Sequence, residues 1–179
     1  MFIRLLWGTV LSLTILLSQA EAQTYGTQRG TVEFTSSVPL HTFTGTSTHL
    51  TGEINLETNT VDFYVDLETL ETGIGRRDRD MRETLETDEY PFAEFTGRLT
   101  TAFSRQANGP QRARVEGTFT VHGVSRALTV SGTLENVGSQ IRMIANWELR
   151  LDDYNIEPPR LLVVRVDEVQ AIHVNALLS

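Results

Sequence analysis

The densest run of chemically capable side chains lies between Arg76 and Glu86. There Arg76, Arg77, Arg79 and Arg82 are interleaved with Asp78, Asp80, Glu83 and Glu86. Guanidinium groups gathered on one helical face could grip a carboxylate or diphosphate bidentately, and Arg77 and Arg82 are the candidates for that role. A solvated helix whose opposite charges satisfy one another at i,i+3 and i,i+4 explains the same run, because the local charge nearly cancels. The residues alone favour this plainer reading.

Other chemistry is sparse. The sequence has no Cys, which removes disulfides, thiol catalysis and Cys-based metal sites. His41, His49, His122 and His173 show no His-x-His or His-x-x-x-His spacing, so no metal site is expected. His122, in a His-Gly pair, reads as a turn histidine. Neither a Gly-x-Ser-x-Gly elbow nor a Gly-rich phosphate loop occurs. Asp152 and Asp153 are adjacent and would point to opposite faces of a continuing strand. The expectation is a protein without catalytic residues or cofactor, and not an enzyme.

The elements that must position these side chains are mostly strands. Apolar and polar residues alternate in Val61 to Leu67, Val115 to Val121, Leu128 to Leu134 and Ile141 to Leu149, the period-two signal of a sheet with one buried face. Thr31 to Val38, Thr46 to Leu56, Ala93 to Thr101 and Val166 to Leu177 fit further strands. Glu57-Thr-Asn59, Asn108-Gly109-Pro110, His122-Gly123 and Asn136-Val-Gly138-Ser supply turn chemistry between them. From Gly75 to Thr87 the helical period takes over. Ile74, Asp78, Met81 and Leu85 share one face there, and Asp78 and Arg82 form a favourable i,i+4 pair. Pro91 keeps Tyr90 out of helical geometry, so the helix ends before it. Antiparallel strands at this spacing make a sandwich or a closed barrel.

The first residues look like an export signal. Arg4 precedes the uncharged stretch Leu5 to Leu17, and Ala20-Glu21-Ala22 offers a small-x-small cleavage site. The apolar stretch is shorter than the roughly 20 residues of a spanning helix. Residues 1–22 are therefore expected to be a cleaved signal peptide and residues 23–179 a single domain, periplasmic or secreted. The net charge is −8, and cleavage after Ala22 leaves it there by removing one Arg and one Glu. An acidic chain has no overall field to draw nucleic acid or an anionic membrane surface. Asp62, Asp66, Glu116 and Arg142 on outward faces argue against a lipid-embedded barrel and for no stable membrane insertion.

Inward faces offer Phe63, Phe95, Phe119, Met143 and Trp147. A small barrel fills its interior with such residues or leaves a cavity for one ligand. Periodicity does not separate the two, and the residues alone favour a packed core.

Several motifs then converge in order along the chain. Gly73-Ile-Gly75-Arg-Arg77-Asp78-x-x-Met81-Arg82 is followed by Leu85-Glu-Thr-x-x-Tyr90-Pro91-x-Ala93-x-Phe95. Phe119-Thr-Val121-His122-Gly123-Val124-Ser125-Arg126 and Leu151-Asp-Asp153-Tyr154-Asn-Ile156 come later. Together these resemble the hallmark runs of the YceI-like family from about Thr31 to Leu178. One departure stands out: Asp80 occupies the place of a His in the family's helical motif, which points away from a diphosphate and toward a neutral head group.

The resemblance implies an all-β fold: an extended, antiparallel lipocalin-like barrel of about eight strands with one short helix inserted near residues 76–87. It also reverses the packed-core preference. The implied function is an exported, soluble binding protein that sequesters or carries a long apolar amphiphile, such as a polyisoprenoid, an isoprenoid quinone or a fatty-acid amide. The implied lining is Phe63, Val65, Leu67, Phe95, Phe119, Val121, Met143 and Trp147 from strands, with Met81 and Leu85 from the helix. Arg77 and Arg82 are the head-group candidates, and family members can pair as homodimers. The competing expectation is a small outer-membrane or structural β-barrel with a packed interior and no ligand.

Overall fold

The structure, a computed structural model, describes residues 23–38, 41–158, 160–161 and 164–179. The expected signal peptide lies outside the described residues. Eight long strands form the wall: β1 (Thr24–Val38), β2 (His41–Asn55), β3 (Thr60–Asp66), β4 (Phe92–Leu99), β5 (Pro110–Val121), β6 (Val124–Val137), β7 (Gln140–Arg150) and β10 (Val169–Leu178). The one α-helix among the described residues, α1 (Gly75–Leu85), joins β3 to β4, and a small hairpin, β8 (Arg160–Leu161) and β9 (Val164–Arg165), lies between β7 and β10.

Each wall strand pairs antiparallel with its neighbours, and the order β1-β10-β7-β6-β5-β4-β3-β2 closes on itself. Closure leaves no free edge to the sheet as a whole. Two hairpins are as tight as their sequences allow. His122 and Gly123 both have positive φ (53° and 69°) between paired Val121 and Val124, and Gly138 (φ 63°) begins the turn between paired Val137 and Gln140. Such primed turns match the right-handed twist of the strands they join.

The alternation expected of β3 is present, with Val61, Phe63 and Val65 buried and Asp62 and Tyr64 exposed. Several strands are longer than the sequence pattern suggests. β1 begins at Thr24 rather than Thr31, β2 at His41 rather than Thr46, and β5 at Pro110 rather than Val115, while β6 runs from Val124 to Val137 rather than Leu128 to Leu134. The added stretches carry few apolar residues, so period two does not announce them.

One end of the barrel, where β1 begins, is solid. Tyr25, Ile141, Leu178 and Ala176 pack there as a floor, each 7 % exposed or less. Arg105 seals it from below. Its guanidinium donates to Asn136 Oδ1 (2.6 Å) and to the carbonyls of Gln140, Gly138 and Ser139, and lies 5.0 Å from the Tyr25 ring centre.

The opposite end flares. β2 pairs with β3 only from Thr51 to Asn55, and β6 with β7 only from Ser131 to Val137. The first opening is crossed by the chain leading to α1, through the Thr46–Glu71 backbone bridge and the hydroxyl contact of Ser47 with Thr69 (2.6 Å). The second is filled by the 3₁₀ turn Leu151–Tyr154, whose Asp153 carbonyl accepts from Arg126 Nε (2.9 Å).

Candidate ligand cavity

Between floor and flare the barrel is hollow. A cavity of about 750 Å³ runs from Ile54 and Leu134 up to α1, within the range usual for small-molecule sites. A filled core, which the residues alone favoured, exists only at the floor.

Strand register explains the void. Ala113 on β5 faces Gly132 on β6, Gly132 faces Ala145 on β7, Ala145 faces Val174 on β10, Val174 faces Val32 on β1, and Val32 faces Ser47 on β2. This belt of small side chains cannot reach across the axis. Gly97 and Gly117, a directly facing pair outside the cavity lining, let β4 and β5 approach closely. At Gly117 a Cβ would lie 2.2 Å from the Thr96 carbonyl oxygen, so the strand approach itself requires glycine there.

Phe63, Val65, Leu67, Phe95, Phe119, Val121, Met143 and Trp147 all line the cavity, as do Met81 and Leu85 from α1. Phe119 holds the aromatic side of the wall, edge-on to Trp147 (6.0 Å) and to Tyr154 (5.6 Å). Phe34 and Phe43, which the sequence reading passed over, line it too and meet edge-on at 6.2 Å. The alternation Val32-x-Phe34-x-Ser36 was the available signal. Polar lining is concentrated at the upper end, in Ser36, Gln170, Arg76, Arg77, Asp80 and Thr84, with Thr133 lower down beside Leu134.

The two head-group candidates part company. Arg77 lines the cavity mouth, stacked 4.3 Å over the Phe43 ring, with Nε donating to Thr72 Oγ1 (2.8 Å) and Nη2 to the Thr72 carbonyl (2.9 Å). Of its five N–H donors, those on Nη1 have no partner among the described residues. Arg82 is not in the lining. It pairs with the Glu68 carboxylate (3.2 Å) and donates to the Glu68 carbonyl (2.9 Å), tying α1 to the end of β3.

The expected Asp78–Arg82 ion pair is therefore replaced. Asp78 turns instead to Thr72, accepting from its backbone N–H (2.8 Å) and its hydroxyl. The i,i+4 pair that does form is Arg76–Asp80 at 3.9 Å. Burial alone would raise the Asp78 carboxyl, but the Thr72 hydrogen bonds and the charges of Arg82 and Arg77 outweigh it, and its pKa lies below the ordinary 3.8.

A carboxyl depressed on folding contributes stability that is complete above its unfolded pKa and lost as pH falls through the folded value. Asp78→Asn should therefore loosen α1 at neutral pH by about 1.5 kcal/mol, the scale of hydrogen bonds to a charged group. Its penalty should begin to shrink near about pH 4, the ordinary carboxylate range, and vanish only below the lower pKa of the folded protein. Amide hydrogen exchange across α1 at both pH values checks this.

The remaining chemical candidates do not converge. Asp152 and Asp153 are exposed on the 3₁₀ turn, and Asp152 pairs with Arg150 (3.2 Å). His173 contacts Asn146 Oδ1 (2.6 Å), and the side chain of His41 lies outside the described residues. No cluster of three potential metal ligands occurs among the described residues. His122 sits in the expected turn, yet reaches two other elements from it.

Comparison with known proteins agrees with this architecture. A polyisoprenoid-binding domain from Saccharophagus degradans, implicated in plant cell wall breakdown, superposes with a TM-score of 0.76 at 20 % identity, covering 88 % of this chain and 98 % of that one. Burkholderia cenocepacia BcnA aligns with a TM-score of 0.69 at 14 % identity, over 84 % of this chain and 96 % of its own. The YceI protein of Campylobacter jejuni gives 0.53 at 12 % identity, over 94 % and 91 %. No curated protein matches by sequence. These likenesses establish a shared fold, and the YceI-like domain family matches residues 24–176, nearly the whole described chain. The hollow eight-stranded barrel with its inserted helix is thus a member of the YceI-like family.

Proposed function

We propose that this chain is an exported, non-catalytic binding protein that sequesters or carries one long apolar amphiphile inside its barrel. The observation that carries the reading is the continuous apolar cavity of about 750 Å³, closed below by Arg105 and the floor and open toward α1. A polyisoprenoid, an isoprenoid quinone or a fatty-acid amide would place its tail among Phe63, Phe95, Phe119 and Trp147. The polyisoprenoid named for the Saccharophagus relative supports that class.

Each buried methylene contributes about 0.8 kcal/mol, so ten buried carbons gain roughly 8 kcal/mol before ordering costs, and longer tails proportionally more. No catalyst or cofactor is needed. The leader-like residues 1–22 support a periplasmic or secreted location, where a carrier would keep such a lipid in solution. Exposed Asp62, Glu116 and Arg142 on the outer wall favour water over acyl chains around the barrel, against the outer-membrane alternative.

Arg77 is placed to accept the oxygen-bearing head group at the mouth, with Asp80 nearby discouraging a diphosphate. Arg77→Ala should weaken capture of a fatty-acid amide about tenfold, the scale of a charge-assisted hydrogen bond, and leave capture of a headless hydrocarbon unchanged. Equal loss for both would make Arg77 purely structural. The broader test is organic extraction of the natively purified protein followed by mass spectrometry. A stoichiometric prenyl or acyl compound is expected, and an interior empty even after incubation with both classes would overturn the reading.

A further inference from the structure

The outer end of α1 is fastened to the barrel at one imidazole. His122 opens the β5–β6 turn. Its Nδ1 lies 3.1 Å from the Tyr154 carbonyl, and its Nε2 lies 3.2 Å from Oε2 of Glu86. Glu86 is the left-handed residue (φ 49°) that ends α1. The Tyr90 ring, on the way to β4, meets the imidazole edge-on at 5.2 Å. At Gly123 a Cβ would lie 2.6 Å from Tyr90 Cε1, so the turn is seated directly against that ring. Three pieces that cover the flared end of the barrel therefore meet on His122: α1, the segment after it, and the 151–154 turn.

The imidazole's charge state matters to this junction. A neutral ring has one N–H and one lone pair. Nδ1 faces a carbonyl, which only accepts, so Nδ1 carries the hydrogen. Nε2 of a neutral ring would then present its lone pair to the Glu86 carboxylate. Protonation replaces that repulsion with attraction. The Nε2–Oε2 approach is close but off the line of a hydrogen bond, so it acts through charge, and its sign follows the ring.

The other groups around the ring are accounted for. Arg82, one turn earlier on α1, is committed to Glu68. The Tyr90 phenol donates to Glu89 Oε1 (2.8 Å), an interaction that raises its pKa. Burial, together with Asp153, raises the Tyr154 phenol. On the β6 side, Arg126 donates to the Asp153 backbone carbonyl, and Asp152 pairs with Arg150. Both phenols therefore stay neutral, leaving the imidazole as the side chain whose gain of a proton reverses the sign of its contact with Glu86.

We propose that His122 is a protonation-controlled latch. Charged, it holds the end of α1 against the barrel and over the cavity mouth; neutral, it lets go. Lipid exchange is then slow in mild acid and faster in mild base. The exchange half of this inference rests on the proposed lipid reading, whereas the helix half does not.

The test uses two variants of the full domain. His122→Asn keeps the turn, because Asn-Gly is the favoured pair for a type I′ hairpin, and removes the titration. Glu86→Gln removes the partner charge. Amide hydrogen exchange of residues 82–90 is measured near pH 5.5 and pH 8, corrected for intrinsic chemistry, followed by dissociation of a fluorescent fatty-acid amide at both pH values. The wild type should open and exchange about fivefold faster at the higher pH, the size expected of a half-exposed ion pair, while both variants should be flat. A flat wild-type profile, or variants that keep the pH dependence, overturns the latch. Helix opening that responds to pH with a probe whose dissociation does not overturns its role in exchange. A probe that never binds rejects the lipid reading, and the helix measurement then decides the latch by itself.

Discussion

Phe119→Asp is expected to unfold the barrel at neutral pH. Phe119 is 9 % exposed and stands between Trp147 and Tyr154, so removing its ring costs about 3–5 kcal/mol in lost contacts and cavity. The new carboxylate adds several kcal/mol more, because taking a charge out of water into the cavity wall is strongly disfavoured. Together these approach the whole stability of a domain this size, about 5–15 kcal/mol. Folding would raise the introduced carboxyl's pKa, so the penalty is full above that raised value and shrinks as pH falls. Urea denaturation should show no folded baseline at pH 7, whereas Phe119→Leu should keep one. A stable Phe119→Asp protein at pH 7 would mean that position 119 is open to water and the cavity wall is misplaced.

Filling the void should separate binding from folding. Ala113 and Ala145 flank Gly132 in the belt of small residues, and both face the cavity. The double replacement Ala113→Leu, Ala145→Leu projects six added carbons into space that is already empty, so no existing contact must give way. The Cα–Cβ directions are unchanged, and the fold should survive with an unchanged or higher Tm. A tail displaced from about four methylene sites loses about 3 kcal/mol, or about a hundredfold in affinity. Dissociation constants for a fatty-acid amide or a polyprenol, set beside thermal melts, report the two effects together. Undiminished capture by the filled variant would place the ligand elsewhere.

The wall was legible in the sequence because a half-buried strand writes its own pattern. Val61, Phe63 and Val65 alternate with polar residues as they alternate between cavity and solvent. Pro91 and the period of Met81 and Leu85 announced the helix just as directly. What stayed hidden depends on pairings between distant residues. Ala113, Gly132 and Ala145 are unremarkable singly and make a void only once the register of β5, β6 and β7 sets them side by side. Arg105 reads as a loop arginine until its carbonyl partners from Asn136 to Gln140 fold over it. Charge patterning along α1 suggested Asp78–Arg82, but Thr72 and Glu68, from outside the helix, offered each partner a better contact. His122 carried a correct turn signal and no hint of Glu86.

Trp147 offers the most direct view of the interior. The sequence has two tryptophans, Trp7 within the leader-like stretch and Trp147 in the cavity wall, so a chain beginning at residue 23 carries one indole only. A fatty-acid amide brominated along its tail should quench that indole's emission saturably, at one ligand per barrel, while the same lipid brominated on a bulky head group should leave it bright. Retention of the tail-brominated lipid with no loss of Trp147 emission would contradict a chain lying inside the barrel.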